Sequence, residues 1–502
     1  LYPKKINPKK SKFLKKPLFR HASLLYNRSM SELYEIIKQS ANHDGLPIIT
    51  GKQFEDLTEK YGREEFREQV AKYIEQERPP FPLKPISYGK MKDTFIRLLE
   101  DDVWRFVKPN EQLEQEVVEK YDNYKYPYSE FGLGMVNAPP SFNDASDYFM
   151  QDLRLSCDSY GHKAPLNAFR DSNAKQLKSA LGAIWRGVND ITKEISTDVD
   201  GNEVIKLVGG KLDEDAYRTA FRLGAYIATQ FKPVVAKCFY EMTDAKTVLD
   251  TSCGWGDRLC GFYASKRTTH YIGTDPNPNT FVNYKKQCIS YETILTGNAP
   301  VITESENYFK SVGSKIVEIH RCGAEDLDYD SLPPIDCAFT SPPYFSTEIY
   351  NKGGEHEEDQ SWFKFNEYEK WRDDFFLPVS QKTFDSLSDT GHMLLNIMNP
   401  TIKGKTYPSC DEVCDLLRPH FKGQLGMRIM QRPQSSTKFL DKWTDVKGDS
   451  DDNQVSDKEG IDRTAMQDFM KKYYMENVWY FAKEDKDLFL KVRQGQLDEF
   501  FV

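Results

Sequence analysis

From Lys246 onward the chain passes repeatedly from a short apolar run to a helix-patterned stretch and back, and this alternation restricts the folds open to it. "KTVLD" begins the series. Strands are expected at residues 247–250, 271–274, 315–320, 336–340, 392–397 and 478–482, with helix-like patterns between most of them. Such a series predicts an α/β fold, a parallel sheet with helices on both faces. In open sheets of this kind ligands bind in the crevice outside the carboxyl ends of the strands. The residues that follow each strand therefore carry the functional information.

Three strand ends are acidic. "TVLDTSCGWGDRLCGF", residues 247–262, gives a strand, a carboxylate, a turn with Gly254 and Gly256, and then a helix. Glycines there let the backbone approach a ligand, while Asp250 is placed to accept a hydrogen bond or a positive charge. The third glycine of the dinucleotide fingerprint is absent, and a small cationic or zwitterionic nucleoside fits the turn better than a pyrophosphate. A second strand, in "YIGTDPNP", ends in Asp275, the usual place for a carboxylate that binds two ribose hydroxyls. A third leads to "RCGAEDL", where Glu325 and Asp326 either accept from an adenine amino group or cap a helix.

The fourth end is different. In "AFTSPPYFSTEIY", residues 338–350, Pro342 and Pro343 cannot continue a ladder, and Ser341 is pushed towards an extended conformation. The strand stops at a stiff rim that bears Ser341 and Tyr344. Taken alone, the stretch also suits an ordinary strand-ending loop.

In that order, and closed by "ENVWYFAK", the segments "LDTSCGWGD", "GTDPNP", "GAEDL" and "TSPPYF" resemble the S-adenosylmethionine-dependent DNA amino-methyltransferases with an SPPY motif, of the N4-cytosine/N6-adenine type. The resemblance runs over about residues 220 to 485. It implies a Rossmann-like methyltransferase with a mostly parallel sheet at 216–502 and S-adenosylmethionine as cofactor. Asp250, Cys253, Gly254, Trp255, Gly256, Asp275, Glu325 and Asp326 would bind it, and Phe231 and Pro233, in "YIATQFKPVVAKCFYE", would cover its methionine end. Ser341, Pro342, Pro343 and Tyr344 would be catalytic. Trp255 departs from the family, which usually has a small residue there; its ring is expected either to shield the pocket or to pack on the next helix.

The resemblance also implies a mechanism. A base amino group is a poor nucleophile because its lone pair is delocalised into the ring, so the enzyme has to hold the nitrogen in a geometry that frees it. Ser341 Oγ and the Pro342 carbonyl would accept its two N–H bonds, with Tyr344 stacked on the base, and a duplex base would have to be flipped out. The implied substrate is DNA, with cytosine N4 slightly favoured over adenine N6. The alternatives are an RNA base methyltransferase and a non-catalytic nucleic-acid-binding protein that retains the fold.

The rest of the chain is less specific. Residues 1–29 form a basic arm, with seven lysines, one arginine and no acid in the first twenty, suited to phosphates or to solvent. Residues 30–215 open with amphipathic helical patterns, break at "RPPFPLKP", become rich in tyrosine and phenylalanine without a clear period, and end in a hairpin around Asp200 and Gly201. They read as a helical or mixed region open to target recognition, a protein partner or self-association. The aromatics fit core packing better than base stacking. "EIYNKGGEHEEDQSWFKF" is expected to close over the substrate, with His356 on the surface, and the polar segment 444–462 to form a surface loop.

A net charge of −9 argues against a uniformly nucleic-acid-binding surface. No run approaches the roughly 18 apolar residues of a membrane span, and the first residues hold no secretory apolar core, so an intracellular protein without membrane partners is expected. The nine scattered cysteines form no paired spacing, so neither disulfides nor a metal site is expected.

Overall fold

The computed structural model describes residues 32–109, 124–185, 192–197, 203–208, 210–429, 476–484 and 488, apart from residues 160, 348, 351 and 355. The basic arm and segment 444–462 lie outside the described residues. The chain forms two compact units, one from residues 1–84 and 163–227, the other from 85–162 and 228–502. These units do not follow the linear division drawn at residue 215. The proline-rich stretch at 78–85, which has no regular structure, is where the chain first passes between them.

The smaller unit is mainly helical, with helices Gly51–Tyr61, Arg63–Glu77, Ala174–Leu181 and Glu214–Gly224. Its core is aromatic: Phe54 stacks on Trp185 at 5.3 Å and Phe66 meets the same ring edge-on at 5.4 Å. Strands Thr192–Thr197 and Glu203–Val208 pair antiparallel, as the expected hairpin requires, and its tip lies outside the described residues.

The larger unit contains an eleven-stranded mixed sheet among the described residues. Its strands are β1 Val107–Pro109, β2 Gly132–Ala138, β3 Thr247–Asp250, β4 His270–Thr274, β5 Val301–Ser305, β6 Tyr308–Val312, β7 Ile316–His320, β8 Ile335–Thr340, β9 Leu387–Asn396, β10 Phe421–Ile429 and β11 Glu476–Ala482. The spatial order is β1-β2-β10-β11-β9-β8-β3-β4-β7-β6-β5. The central five strands, β7-β4-β3-β8-β9, run parallel. Antiparallel strands flank them, and β10 and β2 form a further parallel pair. From β3 the chain winds outward through β4 to β7 and then returns to β8 on the other side of β3. That reversal puts a topological switch point between the carboxyl ends of β3 and β8, the expected ligand crevice of a Rossmann-like α/β fold.

The strands read as apolar runs because both faces are buried. On β8, Cys337 and Phe339 enter one cluster with Val248 and Tyr271, whereas Ile335 and Ala338 enter another with Leu249 and Ile272. The described aromatics of 85–162 enter both clusters, Phe95, Phe106, Phe142 and Phe149 the first and Tyr126 the second. Phe95, on helix α1 (Tyr88–Glu100), stacks on Tyr291 at 4.5 Å, and β2 pairs with β10. Helix α1 does carry a helical period, with Met91, Phe95 and Leu98 buried on one face, and its Phe95 ring packs against an element far away in sequence. Eight of the nine cysteines are buried, Cys322 being half-buried.

Candidate active site

The loop after β3 is shaped by two left-handed glycines, Gly254 at φ 56° and Gly256 at φ 71°. A Cβ on Gly256 would lie 2.3 Å from Gln287 Oε1, so a side chain is excluded there on space as well as on φ. Cys253 is buried beneath the loop, and its N–H donates to Thr274 O at 2.9 Å. It fits because its neighbour in β4 is Gly273, where a Cβ would fall 2.3 Å from Cys253 Sγ. Burial holds this thiol well above its usual range. It is a packing group in its protonated form.

The two strand-end aspartates brace this loop. Asp250 is fully buried: its Oδ1 accepts from the Ser252 N–H at 3.2 Å, and its Oδ2 accepts from Arg258 Nε at 2.8 Å and the Tyr271 hydroxyl at 2.6 Å. The positive charge it receives is thus the chain's own. The Arg258 guanidinium also donates to the Ser252 carbonyl and lies over the Phe231 ring, 5.2 Å from its centroid. Asp275 accepts from Asn277 N–H (3.0 Å) and Thr280 Oγ1 (3.3 Å) on one oxygen, and from Gly254 N–H (2.9 Å) and the Tyr284 hydroxyl (3.1 Å) on the other. Removal from water pushes its pKa up to about 6 in spite of these four bonds. Glu325 and Asp326 face Lys364, whose Nζ lies 3.0 Å from the first and 3.8 Å from the second. All three acidic strand ends therefore meet donors from the protein itself.

Hydroxyl groups tie the glycine loop to the proline turn. Thr251 Oγ1 donates to Thr340 Oγ1 at 3.1 Å, Thr340 Oγ1 lies 2.8 Å from Ser252 Oγ, and Ser252 Oγ donates to Ser341 O at 2.8 Å. Pro342 is buried and Pro343 partly so, which fixes the turn as its composition predicts. The Tyr344 hydroxyl donates to Asn396 O, at the end of β9, at 3.1 Å, and lies 3.3 Å from Ser341 Oγ. With the tyrosine proton directed at Asn396, the proton in the serine–tyrosine contact comes from Ser341. Its Oγ then presents lone pairs outward. Phe345 follows at φ 50°, a strained conformation for a phenylalanine, and is held there by its burial against Tyr368, Trp371 and Tyr407.

A buried polar cluster adjoins the glycine loop, and the sequence gives no sign of it. Asp257, the first residue of a helix over Asp257–Ala264, accepts from the Ser146 hydroxyl and from Gln230 Nε2 at 3.1 Å. Gln230 also donates to Asn143 O at 3.2 Å. Burial pushes the Asp257 carboxyl up to about 7, opposed by the Ser146 bond and aided by nearby Asp147. Among the described residues, Asp257 Oδ2, Asn143 Oδ1 and both amide atoms of Gln287 have no hydrogen-bond partner. A mixed set of buried acceptors and a donor left unpaired beside a glycine loop is what a polar ligand would satisfy. Pro233 opens the helix Pro233–Met242, and Phe231 packs edge-on to Phe339 at 5.4 Å.

The segment after the proline turn runs back to the glycine loop. Trp255 meets Tyr350 edge-on at 6.4 Å, Tyr350 O accepts from Trp362 Nε1 at 3.2 Å, and Lys364 reaches Glu325. Trp255 thus packs on this returning segment and on the core cluster. The His356 side chain is 40% exposed, beside Asp359.

No protein-family model matches the chain, and no curated protein sequence matches it. Among solved structures it is similar to Trm1 from Pyrococcus horikoshii in complex with S-adenosyl-L-methionine, at 13% identity and a TM-score of 0.23 over 34% of this chain and 38% of that one. The chain thus spans well under half of the Trm1 length. It is also similar to an rRNA methylase from Streptococcus thermophilus (14% identity, TM-score 0.24, 41% of this chain and 92% of that one) and to TrmN from Thermus thermophilus (10%, 0.27, 63% and 69%). The fold described here stands on its own strand order and switch point.

Proposed function

We propose that this protein binds S-adenosylmethionine at the glycine loop and transfers its methyl group to an exocyclic amino group of a nucleic-acid base held at Ser341–Tyr344, with DNA as the substrate and cytosine N4 favoured over adenine N6. The observation that carries this reading is the hydroxyl relay from Ser341 through Tyr344 to Asn396 O. It leaves Ser341 Oγ as an acceptor, suited to a base N–H bond.

The residues present fit the cofactor. Gly254 and Gly256 let the backbone come close, and the unpaired Asp257, Asn143 and Gln287 atoms match the ammonium and carboxylate of an amino-acid end. When bound, the cofactor supplies an electrophilic methyl group on a sulfonium sulfur. Ser341 Oγ and the Pro342 carbonyl orient the amino nitrogen, while the Tyr344 ring, fixed at its hydroxyl, supports the base face, a contact worth about 1–3 kcal/mol. The Ser252–Ser341 bond keeps the two binding loops in register. Position and orientation are the main source of rate.

The test is transfer of a labelled methyl group from S-adenosylmethionine to duplex DNA, single-stranded DNA and total RNA, followed by digestion to nucleosides and mass analysis. N4-methylcytosine or N6-methyladenine from DNA supports the reading. Label in RNA alone moves the substrate to RNA, and cofactor binding without transfer to any of them points to a non-catalytic binder.

A further inference from the structure

Five residues beyond the end of β9, the chain folds into a short hairpin of strands Thr401–Ile402 and Lys405–Thr406. Its two turn residues, Lys403 and Gly404, both have positive φ, at 50° and 81°, the requirement of the tight type I′ turn. Asparagine or glycine is the usual choice at the first of these, and a lysine there is strained. Strain of this kind persists where the surroundings over-determine it, and it is a pointer to function.

The hairpin is too short to hold itself, and its stem is anchored at both ends. Asn399 Oδ1 accepts from Cys410 N–H at 2.9 Å, and Tyr407 N–H donates to Pro400 O at 3.0 Å. The Tyr407 ring stacks on Tyr368 at 4.2 Å and meets Phe345, next to the proline turn, at 6.0 Å. Thr401 and Thr406 hydroxyls pair across the strands at 2.8 Å. The tip is therefore a rigid projection from the same aromatic cluster that holds the turn.

Lys403 and Lys405 are both exposed. Among the described residues neither has a carboxylate partner, although the chain is acidic overall; the Lys405 ammonium lies over the Tyr407 ring at 4.4 Å. We infer that this hairpin is a phosphate-contacting finger, with Lys403 and Lys405 binding the nucleic-acid backbone beside the target base. The inference rests on the function proposed above. Phosphate contacts of this kind fix register and orientation without reading sequence.

The test uses the full chain with Lys403→Asn and Lys405→Gln together, asparagine being chosen because it tolerates positive φ. Binding is measured against salt on the same duplex and single-stranded DNA and RNA, with kcat and KM on whichever is methylated. Loss of two phosphate contacts lowers the slope of log affinity against log salt by about 1.8 on duplex DNA or about 1.4 on a single strand. Between about 50 and 200 mM salt, the duplex affinity lost on adding salt then shrinks about tenfold. The expected result is that change with a raised KM, an unchanged kcat, and recovery in a variant carrying Lys403→Arg and Lys405→Arg. An unchanged slope overturns the inference. Wild-type protein that binds nucleic acid without methylating it overturns the proposed function alone, and the slope still decides the finger; no binding at low salt overturns both.

Discussion

Ser252 Oγ donates a hydrogen bond to the carbonyl oxygen of Ser341 over 2.8 Å, joining the loop after β3 to the turn after β8. Both loops sit at the switch point, and this bond fixes the distance between them. Ser252→Ala removes it and is expected to cost about 0.5–1.5 kcal/mol of stability. Its larger effect falls on the register of the loops. Denaturant unfolding, cofactor affinity and turnover of the variant check this together: turnover is expected to fall about tenfold or more with cofactor affinity nearly unchanged, since small misplacements near reacting atoms are costly.

Tyr344→Phe tests the hydroxyl relay. Without the tyrosine oxygen, the Ser341 proton loses its acceptor and is free to turn towards the substrate. The expectation is a kcat lower by about 10²-fold, as misplacement of a reacting group brings, while KM for the base changes less because the ring remains. An equal rise in KM with an intact kcat would assign Tyr344 to binding alone.

The Asp250–Arg258 pair is fully buried, at 2.8 Å. Arg258→Met leaves the carboxylate without its counter-charge, and breaking a buried pair in this way costs about 3–5 kcal/mol. Adding Asp250→Asn removes the stranded charge and is expected to recover a large part of the loss. A double-mutant cycle in denaturant measures the coupling; additive single effects would mean that the pair does not brace the loop.

Asp257 sets a pH dependence. Its pKa in the folded protein is about 7, above its ordinary 3.8, so the native state holds the proton more tightly than the unfolded chain does. The stability this contributes is fully present below the unfolded value and is lost as pH rises through the folded one. Asp275, raised to about 6, acts in the same direction over a narrower window. Asp257→Asn keeps an acceptor for Ser146 and Gln230 but cannot ionise. Melting temperatures measured from about pH 4 to about pH 8 should show the variant gaining on the wild type as pH rises, with the gain levelling off above about 7. Parallel profiles would contradict the shift.

The strand ends were legible because burial on both faces makes each central strand an apolar run, which stops where polar residues begin. β3, β4, β7, β8, β9 and β11 all overlap the runs seen in sequence. β2 and β10 were not foreseen. β2, "GLGMVNA", has no clear alternation; it is a strand because β10, almost 300 residues later, pairs with it on one side and the three-residue β1 on the other. The partners of the site residues were hidden for the same reason. Asp250 announces a carboxylate at a strand end, but that Arg258 neutralises it depends on how the next helix is set down. Ser146, Gln230 and Gln287 come from three separate segments, and only the fold brings them to the glycine loop.

The most direct test of the account is the single-turnover rate of methyl transfer by Ser341→Ala, with cofactor affinity measured on the same preparation. The account predicts a rate at least about 10²-fold below wild type at unchanged cofactor affinity, because the group that orients the amino nitrogen is gone while the glycine loop is intact. A wild-type rate in this variant would contradict it, and would place the chemistry away from the proline turn.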